Sequence, residues 1–235
     1  MQIVEHQSVD TACWSCGASV VGAKPFCDAC GKVQPPQADV DYFAAFGLLR
    51  KLNIDLPALE RSFYRFSRKL HPDVYAQASP QEQQWSLEQT SLLNDAYRTL
   101  KNPITRTEYL LKLEGVLLEA GKSEDGAAKE SRVPADLLEE VFELNMQLEE
   151  MRMTRNAGED DPQLRQDLGK ARAEFEAQLA GSDSNLQELW TAWDTALDAN
   201  GKERQTEIRD SMVALLDRRR YIRNLVRDVN EALEA

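Results

Sequence analysis

Long apolar runs are missing from this chain of 235 residues, and so are most of the side chains that enzymes use. No stretch approaches the roughly 20 apolar residues that span a bilayer, and no apolar segment of a secretory signal opens the chain. The expectation is a soluble, unsecreted protein. The first dozen residues carry Glu5 and Asp10 but no Lys or Arg, the reverse of an organelle transit peptide, so a cytoplasmic, bacterial setting is expected. Positive charge is in deficit, with 28 Lys+Arg against 40 Asp+Glu and a net charge of -12. Such a surface repels phosphate backbones and anionic lipid, which argues against nucleic acid or a membrane as partner. There is no phosphate-cradling GxxxxGK[ST] loop and no zinc-protease HExxH. Of the two histidines, His6 lies near the N-terminus and His71 stands two residues from Asp73 without an evident serine or cysteine to activate. A catalytic dyad is therefore disfavoured, and the expectation is that the protein is not an enzyme.

Cysteine is scarce but concentrated. All four fall in the first 30 residues, as Cys13-Trp14-Ser15-Cys16-Gly17 and Cys27-Asp28-Ala29-Cys30-Gly31. Two thiolates three residues apart can reach one ion, and the glycine that follows permits the tight turn aiming backbone N–H groups at sulfur. Two such knuckles complete a tetrahedral site, so Cys13, Cys16, Cys27 and Cys30 are the expected metal ligands, with zinc favoured and iron also compatible. Structural disulfides suit an oxidising compartment rather than this one, and a thioredoxin-like pair would need a βαβ context. A segment so short has little core, which makes metal-driven folding the plain role.

Proline and glycine thin out after the Gln34-Pro35-Pro36-Gln37-Ala38 connector, and apolar residues then recur at helical steps. The fold class expected is mainly all-α, with a small β zinc-ribbon-like module in front. Leu56, Leu59, Phe63, Phe66 and Leu70 give one amphipathic stripe, while Arg61, Arg65 and Arg68, with Lys69 beside them, form a basic ridge on the other side. That helix must stop at His71-Pro72-Asp73. A loop to about Pro80 leads to a second helix near Glu82 to Leu100, which carries Leu93, Ala96, Tyr97 and Leu100 on one face and can pair antiparallel with the first. Asn102-Pro103 ends it, and a short helix closes near Gly115. A polar stretch from Gly121 to Ala128 separates a second helical domain. Its stripes are Leu137, Val141, Leu144, Leu148 and Met151; Leu164, Leu168, Ala171 and Phe175; and Leu215, Ile222, Val226, Val229 and Leu233. They suit a bundle of about three long helices, with a further helix holding Trp190 and Trp193 as core. The boundaries expected are 1–34 for the cysteine module, 35–40 for a linker, 41–114 and 134–235 for the two helical domains, and 115–133 for the linker between them.

A tripeptide such as His71-Pro72-Asp73 is weak by itself, but here it stands between two amphipathic helices, the first basic on its outer face. It is preceded by Asp41-Tyr42-Phe43-Ala44-Ala45-Phe46-Gly47-Leu48, whose aromatics can pack over the hairpin. That arrangement resembles a J-domain. The resemblance implies that His71, Pro72 and Asp73, together with Arg61, Arg65, Arg68 and Lys69, dock on a DnaK-class chaperone and stimulate its ATPase. Nucleotide binding and hydrolysis would belong to that partner.

Asp41 to Leu48, Asn94-Asp95-Ala96-Tyr97-Arg98-Thr99-Leu100, Pro103 and Arg106-Thr107-Glu108-Tyr109-Leu110-Leu111 resemble, more narrowly, the HscB family of co-chaperones in iron–sulfur cluster assembly. The cysteine module resembles one found on eukaryotic and some bacterial members. The resemblance implies an iron–sulfur scaffold protein as second partner, bound through Leu138, Phe142, Glu143 and Glu150 and through the pair Arg220 and Tyr221. Met146 stands where the family often has an acid, and Glu139 where it can have an apolar residue. From pattern alone, Leu138 and Phe142 lie off the buried stripe of their helix, which fits either a partner site or a helix covered on two sides. A J-protein for unfolded clients and an iron-binding redox protein are the rival readings, and the oligomeric state, monomer or dimer, stays open.

Overall fold

The computed structural model describes residues 11–37, 40–116 and 134–234. The Gly121 to Ala128 stretch and His6 lie outside the described residues, as does most of the expected 115–133 linker. The described residues fall into two compact units, 11–116 and 134–234.

In the first unit, β1 (Thr11–Ala12) and β2 (Ser19–Val20) pair antiparallel, with Thr11 opposite Val20 and Ala12 opposite Ser19. These are the named strands among the described residues, and both lie in the cysteine segment, as expected. The helical part follows as α1 (Tyr42–Ala45), α2 (Leu56–Leu70), α3 (Pro80–Lys101) and α4 (Pro103–Leu113). Local chemistry sets each start. Asp41, Asp55, Ser79 and Asn102 cap the four helices with side-chain oxygens on free backbone N–H groups, and α3 opens with a capping box in which Ser79 and Glu82 bond each other's backbone. Pro80 sits just inside, so α3 begins two residues before the expected Glu82.

The hairpin of α2 and α3 closes on Leu59, Leu70, Leu93, Ala96 and Leu100, all buried, with Phe63 and Tyr97 stacked at 4.1 Å between ring centroids. Leu56, expected in this stripe, is exposed at the first residue of α2. At the other end, α1 buries Phe43, and Tyr42 stacks on Tyr109 of α4 at 4.3 Å. The buried Arg106 donates to the Leu100 carbonyl at 2.7 Å and ties α4 to the end of α3.

The second unit is built from α5 (Leu138–Asn156), α6 (Pro162–Asp198) and α7 (Lys202–Glu234). Its core joins Val141, Leu144, Leu148 and Met151 of α5, Leu164, Leu168 and Phe175 of α6, and Ile222, Leu225 and Val229 of α7. The separate tryptophan helix expected from the sequence does not form. Residues 162–198 are one helix, which carries Trp190 and Trp193 as buried core. Through the Gly181-Ser182-Asp183-Ser184 run the helix continues, with the hydroxyls of Ser182 and Ser184 turned back on the carbonyls of Gln178 and Ala180 and Arg219 of α7 holding Asp183 at 2.7 Å. At 1.5 Å per residue α5 is about 28 Å long against about 55 Å for α6, so α6 and α7 run past α5 as an antiparallel two-helix arm.

Candidate functional site

The His71-Pro72-Asp73 tip is built by its neighbours. Helix α2 ends at Leu70, whose carbonyl has no helical donor because the chain turns away at Pro72. Two hydroxyls of α3 replace the missing donor: Ser86 Oγ donates to that carbonyl at 2.6 Å and Thr90 Oγ1 at 3.2 Å. His71 then extends at φ -55°, ψ 130°, and Pro72–Tyr75 form a single 3-10 turn. The amide of Asp73 donates to His71 Nδ1 at 3.3 Å and that of Val74 to the His71 carbonyl at 2.9 Å. His71, Asp73 and Val74 project into solvent, while Tyr75 turns back against Leu70 and Leu93, where burial raises its hydroxyl pKa. Arg61, Arg65, Arg68 and Lys69 are exposed along α2. The Arg65 guanidinium lies 4.9 Å from the Phe66 ring, which restrains it without neutralising its charge. A preset tip beside a cationic ridge is suited to an acidic protein surface.

The four cysteines gather into one cluster. Sγ of Cys13 and Cys30 are 3.7 Å apart, as are those of Cys16 and Cys27, and all four lie within 4.8 Å of one another. Those separations exclude a disulfide, and a tetrahedron with metal–sulfur bonds near 2.3 Å has edges of about 3.8 Å. The donor set therefore fits a metal ion. Gly17 and Gly31, at φ 73° and 72°, close the knuckles by donating to the carbonyls of Cys13 and Cys27, both at 2.9 Å. Burial would raise the Cys13 thiol, but the amides of Cys16 and Ser15, Cys30 and the Gln34 side chain outweigh it, lowering the pKa to about 6. At Cys16 the Ala18 amide pulls downward, yet the other three cysteines and burial push the thiol up to about 12. Gln34 is a part of this site that the sequence reading missed. Its amide donates to Cys13 Sγ at 3.4 Å, although its setting beside two prolines suggests only a connector.

On α5, the side facing away from the bundle core carries Leu138, Phe142, Met146 and Met153, and Phe142 is 66% exposed. Glu143 and Glu150 are exposed on the same helix. Leu138 and Phe142 are exposed, so this side of α5 is uncovered among the described residues. Met153 was missed, though it stands seven residues, about two helical turns, past Met146 on the same face. Arg220 and Tyr221 differ in setting. Tyr221 packs partly buried against the bundle core, which raises its hydroxyl pKa, and Arg220 reaches Asp217 at 3.5 Å.

An amphipathic hairpin with an exposed His-Pro-Asp tip, a basic leading helix and an aromatic brace of α1 and α4 defines a J-domain fold, here joined in one chain to a helical bundle. No protein-family model matches the chain. The iron–sulfur cluster co-chaperone protein HscB of Mus musculus is 33% identical over 145 residues, 60% of this chain and 59% of that protein. The HscB homologue of Arabidopsis thaliana is 35% identical over 138 residues, 59% of this chain and 51% of its own length, and HscB of Homo sapiens is 32% identical over 141 residues, 59% and 57%. The chain thus spans between half and three-fifths of the curated relatives it matches. The crystal structure of human co-chaperone protein HscB superposes with a TM-score of 0.61 at 23% identity, covering 94% of this chain and 98% of that one. The chaperone HscB from Vibrio cholerae gives 0.52 at 24% identity, covering 83% and 98%. The fold is that of HscB, and the chain is a homologue of the HscB co-chaperones. Among the described residues no helix is long and apolar enough to cross a membrane.

Proposed function

We propose that this chain is a co-chaperone of iron–sulfur cluster assembly that works by binding two proteins rather than by catalysing a reaction itself. The observation that carries this reading is the exposed His71-Pro72-Asp73 tip standing directly beside the cationic ridge of α2. His71, Pro72 and Asp73 make the specific contact with a DnaK-class chaperone, and Arg61, Arg65, Arg68 and Lys69 steer the encounter. Because α2 is capped through Ser86 and Thr90, the tip meets the partner already shaped, and little conformational entropy is lost on docking. The chaperone's own ATPase is then stimulated.

The α5 face takes the second partner, an iron–sulfur scaffold protein. Leu138, Phe142 and Met146 supply apolar area and Glu143 and Glu150 the acidic rim, with Arg220 and Tyr221 of α7 contributing from a half-buried position. Carrying both partners brings the scaffold to the chaperone, so that ATP hydrolysis is coupled to cluster assembly and transfer. The compartment proposed is the cytoplasm. The four cysteines hold zinc as a structural ion. When bound, zinc replaces thiol protons and cross-links the two knuckles, while the chain supplies the Ser15 and Gln34 donors that stabilise sulfur charge at Cys13. Zinc leaves the purified protein colourless, whereas ferric thiolate would colour it and support the redox reading.

Single-turnover ATP hydrolysis by a DnaK-class chaperone, with His71→Gln against the unsubstituted chain, tests the first surface. Loss of stimulation is expected, and undiminished stimulation would sink the proposal.

A further inference from the structure

The cysteine module and the His-Pro-Asp tip share one small core. Val33 follows the second knuckle and is fully buried, and Phe26 precedes that knuckle and faces Val33 across an isolated antiparallel bridge. Both pack with Leu70, Leu93, Phe66, Tyr75 and Trp85 of the hairpin. Leu70 and Tyr75 are the residues that flank the tip, one just before His71 and the other two past Asp73. Further ties surround this core. Lys32 bonds Glu82 at 2.7 Å, the Gln89 amide donates to the Gln34 carbonyl at 3.3 Å, and Trp14 meets Trp85 edge-on at 5.5 Å. Trp14 also donates to the Val33 carbonyl at 2.7 Å, which links the first knuckle to the same point. The Lys69 ammonium sits 5.7 Å from the Phe26 ring, so one member of the basic ridge rests on the module.

We infer that the module is a positioning element for the tip, in which ion-held knuckles fix Phe26 and Val33, and these hold Leu70 and Tyr75 on either side of His71-Pro72-Asp73. The physical reason lies in the size of the module. Strands of two residues and a buried cluster of Cys13, Val20 and Cys27 are too little to keep Phe26 and Val33 in register unaided, so the thiolate cross-link must do so. Further from the tip, α1 and α4 have a brace of their own in the Tyr42–Tyr109 stack, outside the cluster that Val33 and Phe26 share. Loss of the ion should therefore loosen the tip selectively. The inference rests on the proposed reading of the tip as the chaperone contact only for its functional meaning.

Amide hydrogen exchange of the intact chain, stripped of metal by thiol displacement and chelation and then reloaded with zinc chloride, tests it. The amides of Val74 and Ala76, bonded to the carbonyls of His71 and Asp73, should exchange about tenfold faster or more in the stripped form and recover with zinc, while α4 amides stay within about twofold. Val33→Ala, with its metal retained, should speed the same amides about threefold or more, and Val33→Ile should restore them. Unchanged exchange at Val74 and Ala76 while Gly17 and Gly31 lose protection would overturn the inference. So would equal loss throughout α4, which would mark the module as a general stabiliser. His71→Gln in the ATPase assay separates the two claims: if it leaves stimulation intact while these amides still answer to zinc, the chaperone reading falls and the positioning role stands.

Discussion

Removing both hydroxyls that meet the Leu70 carbonyl should cost more than the sum of removing each. Ser86 is fully buried and donates at 2.6 Å, while Thr90 donates at 3.2 Å. In Ser86→Ala the carbonyl keeps Thr90, so the loss is one ordinary hydrogen bond, about 1 kcal/mol. In Thr90→Val, which nearly conserves shape, the longer bond goes and the expected loss is about 0.5–1 kcal/mol. The double variant leaves a buried acceptor without a donor, adding a desolvation penalty of about 1–3 kcal/mol, so its total should be about 3–4 kcal/mol with a coupling of at least about 1 kcal/mol. Native-state hydrogen exchange of α2 and α3 amides measures this, because it reports the hairpin apart from the second unit, whose Trp190 and Trp193 would mix into a fluorescence signal. Additive single effects, or a double variant within about 1 kcal/mol of the unsubstituted chain, would refute the assignment of these hydroxyls as the cap of α2.

Three further outcomes are expected. The Lys32 ammonium and then the Ser79 hydroxyl hold the Glu82 carboxyl below its ordinary value of 4.5, so its ionised form favours the folded state, and that contribution vanishes as pH falls through the lowered value. Thermal midpoints of the unsubstituted chain and Glu82→Gln should accordingly differ at neutral pH and converge in acid below 4.5; parallel profiles would show that the pair contributes nothing. Gly181→Ala, at an open interior position of α6, should stabilise the second unit by about 0.5–1 kcal/mol in urea unfolding, whereas destabilisation would argue for a break in the helix there. Phe142→Ala, on an exposed side chain, should leave stability within about 0.5 kcal/mol, and a larger loss would mean that the residue is core.

Periodicity made most of the helices readable. The stripe from Leu137 to Met151 is buried residue for residue, and the stop at His71-Pro72 follows from proline sterics. What failed to show was set by partners distant in sequence. Trp190 and Trp193 read as a helix of their own, whereas they continue α6, in which Arg219 of α7 holds Asp183. Cysteine spacing revealed the ligand set, but not Gln34, whose role depends on the chain folding back over Cys13. The sequence reading treated the module as a unit of its own. Val33 gives no local sign that it packs on Leu70, because that contact joins residues far apart in the chain.

Titrating the intact chain with an iron–sulfur scaffold protein, alongside Phe142→Ala and a denatured client protein, tests the central claim most directly. Saturable binding of the scaffold, weakened about tenfold or more by Phe142→Ala, equivalent to about 1.4 kcal/mol, is the expected result, with no comparable binding of the denatured client. Scaffold affinity unchanged by the substitution, or preference for the denatured client, would contradict it.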